Sequence, residues 1–209
     1  MKLLDLLFDR RCRLCDIAID DGVVCGECGK YIEKLASVKK IYLTVNGRRF
    51  EARYLFDYDD KIIRKLLFVL KRVSDRELFE YASFLYERLV PEDFSGVVTN
   101  CPRRATGIRK SGFDQVEKPC RILCRRRKLK FRKLLKRIGF SKEQKKLTRD
   151  ERKLNVKGKF RVKTKDIPQN ILIVDDVVTT GGTAIECAGE ILKTNPDANI
   201  SFAFLASRN

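Results

Sequence analysis

The spacing of apolar and polar positions divides the chain into segments of different period. Ile41-Tyr42-Leu43-Thr44-Val45 and Phe50-Glu51-Ala52-Arg53-Tyr54 flank Asn46-Gly47. Asn and Gly tolerate positive φ, so this pattern predicts a hairpin with a two-residue turn within residues 40–58. In Lys61–Arg72, the residues Ile62, Ile63, Leu66, Leu67, Val69 and Leu70 recur at helical spacing. A second helix is expected from Asp75 to Leu89 with Ser74 as its cap, and both helices should cover a sheet.

Beyond Pro91 the pattern predicts a short buried strand at Val97-Val98-Thr99, a helix from Phe113 to Arg127 and a strand within Phe131 to Ile138. A charged stretch from Ser141 to Lys159 has little that could form a core. Ile171-Leu172-Ile173-Val174 is apolar without alternation, as expected of a strand covered on both faces. A helix over Thr183–Lys193 and a last strand over Ile200–Ala206 follow. Strand, helix and strand joined by short connections imply a parallel crossover, hence an α/β fold.

Composition sets the scale. A chain of 209 residues with 44% hydrophobic content suffices for one domain of ordinary size and a small appendage. No apolar run approaches the roughly 18 residues that span a bilayer, and Met1–Phe8 lacks a signal peptide's basic start and cleavage site. The expectation is a soluble, cytoplasmic protein without membrane insertion. Charge is concentrated in one place: Cys101–Lys165 holds 26 Lys or Arg against 5 Asp or Glu, a net +21, while the whole chain carries +18. Such a segment attracts polyanions, either nucleic acid or a multiply phosphorylated small molecule, unless it is only solvated surface.

The candidate chemistry begins where the apolar strand ends. Val174 runs into Asp175-Asp176-Val177-Val178-Thr179-Thr180-Gly181-Gly182-Thr183. Ligands of open α/β sheets bind beyond the carboxyl ends of strands, and that is where this loop is expected. Two carboxylates can accept hydrogen bonds from vicinal ribose hydroxyls and lie near a Mg²⁺ that accompanies pyrophosphate. Thr179, Thr180 and Thr183 offer hydroxyls. Gly181 and Gly182 let the backbone approach, and the helix that starts there sets its positive end beneath a phosphate. The loop is neither a Walker A sequence nor Gly-x-Gly-x-x-Gly.

Cys12-x-x-Cys15 and Cys25-x-x-Cys28 are spaced to place four thiolates around one Zn²⁺, with Gly26 and Gly29 able to turn backbone N–H groups toward sulfur. Four ligands and no open position make the site structural. The alternative is a redox dithiol, which needs only one pair. Cys101, Cys120, Cys124 and Cys187 read as small core residues.

The loop after Val174 resembles the phosphoribosyl pyrophosphate (PRPP) signature of type I phosphoribosyltransferases. With the paired cysteines at the start, the chain as a whole resembles the ComF family, phosphoribosyltransferase-like proteins linked to competence and DNA uptake. Gln144-x-x-Leu147, Arg152-x-x-Asn155 and Gly158-x-Phe160 look like the family stretch before the PRPP strand. Gly112-Phe113-Asp114-Gln115 looks like its Arg-Gly-Phe-Asn-Gln element, with Ser111 in place of Arg and Asp114 in place of Asn.

The resemblance implies a zinc-knuckle module over 1–38 and a phosphoribosyltransferase-like domain over 39–209, a parallel sheet flanked by helices that includes the hairpin. It implies a PRPP site at Asp175–Thr183, with Asp175 and Asp176 catalytic if the protein is a transferase. Pyrophosphate contacts are expected from Arg103 and Arg104, in Cys101-Pro102-Arg103-Arg104-Ala105-Thr106-Gly107, and from Arg109 and Lys110. Cofactors would be Zn²⁺ and Mg²⁺. Turnover with an unknown acceptor, PRPP sensing without turnover, and binding of single-stranded DNA or of DNA-uptake proteins all remain open.

Overall fold

The computed structural model describes residues 10–138 and 158–208. Gln144, Leu147, Arg152, Asn155 and most of the charged stretch from Ser141 to Lys159 lie outside the described residues, as does Met1–Phe8.

A helix, α1 (Gly26–Leu35), follows the second cysteine pair. The hairpin consists of β1 (Lys39–Val45) and β2 (Arg48–Asp57), antiparallel with Val45 opposite Arg48. Asn46 and Gly47 adopt φ of 49° and 80°, the left-handed pair that a two-residue turn requires. Helices α2 (Lys61–Arg72) and α3 (Arg76–Glu87) come next. Asp60 caps α2 by accepting from the Ile62 and Ile63 N–H groups at 2.8 and 3.0 Å. The cap of α3 is Asp75, which accepts from the Leu78 N–H, and not Ser74. A carboxylate competes better than a hydroxyl for the positive end of a helix, which moves the start by one residue.

Strand β3 (Val97–Asn100) leads to α4 (Ala105–Ser111) and α5 (Glu117–Arg126). The helix expected from Phe113 therefore starts only at Glu117. Gly112 at φ 79° ends α4, and the Asp114 carboxylate accepts from the Val116 and Glu117 N–H groups to open α5. The strand expected within Phe131–Ile138 is two pieces in two sheets. One is β4 (Lys130–Phe131), an edge of the main sheet; the other is β5 (Leu135–Arg137), antiparallel to β6 (Phe160–Val162). Last come β7 (Asn170–Val178), α6 (Gly182–Thr194) and β8 (Asn199–Ser207).

The fold is mixed α/β. Its six-stranded sheet has the order β1-β2-β8-β7-β3-β4, parallel except for the β1–β2 pair. Alternate residues of β7 enter two separate cores. Leu172 and Val174 face α2, α3 and α5 together with Leu66, Leu78 and Leu123; Ile171 and Ile173 face α6 and the small β5–β6 sheet together with Ala188, Ile191 and Phe160. This explains the unbroken apolar run, since each fully buried residue of this kind contributes about 1.5–3 kcal/mol on either face. The first core also takes in Cys12, Leu14, Cys25, Cys28 and Ile32, so the cysteine segment packs on the same helical layer. Cys101, Cys120, Cys124 and Cys187 are buried, as expected of small core residues.

Candidate functional site

The sheet order places a crevice at one position. From β7 the chain crosses through α6 to β8 on one side, and from β3 it crosses through α4 and α5 to β4 on the other. Between these neighbours the connections diverge, and the carboxyl ends of β3 and β7 open onto a cleft. Cys101 N–H still donates to Val174 O at 2.9 Å, so the segments beyond the two strands start side by side.

The β7–α6 loop lines a cavity of about 270 Å³ with Val177 to Ala184, Asp175 and three cations, Arg104, Arg137 and Lys159. Gly181 is the helix N-cap at φ 72°. A Cβ there would lie 2.8 Å from Leu43 Cδ2. Glycine is thus required twice at this position, by the backbone and by the hairpin packed against it. Gly182 N–H bonds with Thr180 Oγ1 at 3.4 Å, which folds the loop over the first turn of α6.

A second cavity of about 390 Å³ adjoins the first and shares Asp175, Thr183, Arg104 and Arg137 with it. Its other walls come from Lys71, Cys101 to Arg103, Asp114, Gln115 and Asp176. Asp176 is held from two sides: Lys71 Nζ lies 2.8 Å from its Oδ2 and Gln115 Nε2 donates to the same atom at 3.0 Å. Despite burial, the two neighbouring carboxylates raise the Lys71 pKa, so its charge is kept. Asp175 behaves differently. The low-dielectric surroundings and the Asp176 carboxylate push it well above the usual carboxylate range. Tyr86 Oη donates to the Asp175 carbonyl at 3.3 Å and fixes the strand end from the helical layer.

The basic residues singled out by sequence separate into two groups. Arg103 and Arg104 both line the second cavity. Arg103 is also a brace, donating to Ser111 Oγ at 2.7 Å, Phe113 O at 2.9 Å and Lys71 O at 3.4 Å. Arg109 and Lys110, on the exposed face of α4, line neither cavity. Three cations of the site escaped sequence reasoning: Lys71 at the end of α2, Arg137 at the end of β5 and Lys159 before β6. Each sits in a segment whose local pattern shows only periodicity or charge. The one usable signal was Gly158-x-Phe160, which brackets Lys159.

At the other end of the chain, the sulfurs of Cys12, Cys15, Cys25 and Cys28 all lie within 4.8 Å of one another. Cys15 and Cys25 Sγ are 3.6 Å apart, close to the about 3.8 Å edge of a tetrahedron with 2.3 Å Zn–S bonds. Backbone N–H groups of Leu14 and Cys25 approach Cys12 Sγ at 3.4 and 3.3 Å, and Cys28 N–H approaches Cys25 Sγ at 3.4 Å. Burial works against a Cys12 thiolate, but these N–H groups outweigh it and bring the pKa down to about 6. Burial and the neighbouring sulfurs push Cys28 strongly upward. Crowded sulfurs that resist ionising together suit a cation at their centre, and all four residues fit one Zn²⁺.

No family model matches the chain, and no curated protein matches it. Among solved structures, the orotate phosphoribosyltransferase from Aeropyrum pernix overlaps 86% of this chain and 81% of its own at 19% identity, with a TM-score of 0.36. The adenine phosphoribosyltransferase from Saccharomyces cerevisiae, in complex with an imino-altritol bisphosphate and adenine, overlaps 88% and 89% at 16% identity, with a TM-score of 0.35. Overlaps this loose decide nothing about chemistry, which has to come from the two cavities themselves. Among the described residues, no helix is long and apolar enough to cross a membrane.

Proposed function

We propose that the chain binds PRPP in the paired cavities and is a phosphoribosyltransferase-like protein of the ComF kind. The carrying observation is one continuous site with the required chemistry in order. Thr179 to Thr183 and the α6 terminus form one end, two carboxyls stand in the middle, and Arg103 and Lys71 border the other end, with Arg104 on the wall that the two cavities share. In this reading the 5′-phosphate occupies the smaller cavity, Asp175 and Asp176 accept from the ribose hydroxyls, and the pyrophosphate lies in the larger cavity. Loop N–H groups and the helix dipole favour the monophosphate.

Oxygen donors suit Mg²⁺, but Asp176 Oδ2 is already engaged by Lys71 and Gln115, so the phosphates of the ligand would supply most of the coordination. When bound, Mg²⁺ would neutralise charge on the departing pyrophosphate. The residues of the chain orient the sugar: the strand-end acids fix its hydroxyls, and Arg103 and Lys71 stand on the side of the leaving group. Displacement at the anomeric carbon needs such positioning and charge more than a nucleophilic side chain.

Mg²⁺-PRPP should raise the melting temperature, and Asp175→Asn with Asp176→Asn should abolish the rise. An equal rise in the double variant would sink the assignment. Pyrophosphate release across a panel of nucleobases and amines then separates a transferase from a sensor.

A second reading, binding of single-stranded DNA, is favoured by a groove of about 1000 Å³ between α3 and α5. Phe84, 56% exposed, lies there beneath the Arg126 guanidinium at 3.9 Å, with Arg76, Lys118, Arg121 and Arg125 around it. A ring among cations suits stacked bases and phosphates. Affinity should fall with salt at a log–log slope of about −3, from about −0.7 per phosphate contact. No binding at about 50 mM salt would remove this reading.

A further inference from the structure

The small β5–β6 sheet has no part in the PRPP signature, yet it delivers two of the three cations that face the β7–α6 loop. We propose that this sheet is a phosphate clamp: Arg137 and Lys159, joined by Arg104 from the segment after β3, select the terminal phosphomonoester of the ligand. The inference rests on the PRPP reading and assigns to named residues the choice of a phosphorylated over an unphosphorylated sugar.

The placement of both residues is built in. Arg137 pairs with Phe160 in the antiparallel register, and its guanidinium lies 5.0 Å from the centre of the Phe160 ring. Phe160 and Leu135 are buried in the second core, so the small sheet is anchored there. Lys159 is held by its neighbours: its carbonyl accepts from the Ile138 N–H at 2.7 Å, and the N–H of Gly158, at φ 72°, donates to Glu186 of α6. The ends of β5 and β6 are thus tied to each other and to the helix whose first turn forms the opposite wall of the cavity.

The charge arrangement asks for an anion. Among the described residues, neither Arg104 nor Arg137 forms an ion pair with a carboxylate. The acid that lines the same cavity is Asp175, which its surroundings keep far from easy ionisation. The cations feel one another: burial, then Arg104, lowers the Arg137 pKa, and burial, then Arg137 and Arg104, lowers that of Lys159. Three cations gathered around hydroxyls and a helix N-terminus, with Arg137 and Lys159 both disfavoured by the crowding, are relieved by a dianion. A sugar without phosphate gives no such relief.

Isothermal titration with ribose 5-phosphate, ribose and Mg²⁺-PRPP tests the clamp. Wild type should bind both phosphorylated ligands and not ribose. Losing a charge-assisted contact should weaken ribose 5-phosphate about tenfold for Arg137→Gln or Lys159→Gln, and about 100-fold for both together. Arg137→Lys keeps the charge and should recover part of the loss. Lys136→Gln, an exposed charge removal on the same strand, controls for the general field and for folding of the small sheet. An unchanged affinity in the double variant, with wild type binding, overturns the clamp and spares the PRPP reading. Equal weakening by Lys136→Gln also overturns it, because the effect would then be bulk charge. Wild type that binds neither phosphorylated ligand overturns the PRPP reading and the clamp together.

Discussion

Replacing Gly181 by alanine should perturb the fold and the ligand site at once, by two separable amounts. The backbone at φ 72° is left-handed, which costs an L-residue about 1–2 kcal/mol. The new Cβ would also stand 2.8 Å from Leu43 Cδ2 and 3.4 Å from Ile185 Cδ1. Leu43 is a buried side chain and cannot swing into solvent, so overpacking adds about 1–2 kcal/mol more. The sum, about 3 kcal/mol, corresponds to a fall of about 6–12 °C in melting temperature for a chain of this size. Differential scanning calorimetry reads it directly.

Leu43→Val separates the parts, since valine lacks the δ carbons that make the clash. Combined with Gly181→Ala it should recover the packing part and leave the backbone part, giving a favourable coupling of about 1 kcal/mol in the double-mutant cycle. Because the loop must shift to admit the Cβ, stabilisation by Mg²⁺-PRPP should shrink in Gly181→Ala even after the melting temperature is corrected for. A variant that melts within about 1 °C of wild type would refute the reasoning, because neither the strain nor the contact would then exist.

Two further outcomes are expected. Elemental analysis should find about one zinc per chain, and Cys25→Ser should lower stability and release the metal; a metal-free protein of full stability would contradict the knuckle. Glu117 lies 2.9 Å from Arg121 Nε and 2.6 Å from Lys133 Nζ. Burial raises its pKa, but these two partners outweigh it and hold the carboxyl below its ordinary value of 4.5. A depressed folded pKa gives stability that is present above the ordinary value and lost as pH falls through the folded one. Glu117→Gln should therefore flatten the decline of melting temperature below about pH 4.5, and an unchanged acid profile would argue against the pairing.

The sequence exposed the parts of this fold whose signals are local. Asn46-Gly47 announced its turn because the required φ values belong to few residues, and the run Ile171–Val174 announced a doubly covered strand because both faces needed apolar side chains. Boundaries failed where a carboxylate inside the expected helix turned out to cap it and moved the start inward, as Asp75 and Asp114 did for α3 and α5. The strand expected over Phe131–Ile138 failed because two short pairings divided it between sheets, and nothing in the residues themselves marks that division. The acids, threonines and glycines of the site were legible as one contiguous string. Lys71 and Arg137 were not, since their contribution exists only once α2 and the small sheet are brought to the cleft.

The double burial of β7 also bears on how a ligand would be received. The strand is gripped by two cores up to Val174, and the next residue is Asp175, whose carbonyl is pinned by Tyr86. The central carboxyls therefore stand in place before any ligand arrives. Binding therefore loses little ordering entropy at that point, and more of each contact made there is kept as affinity.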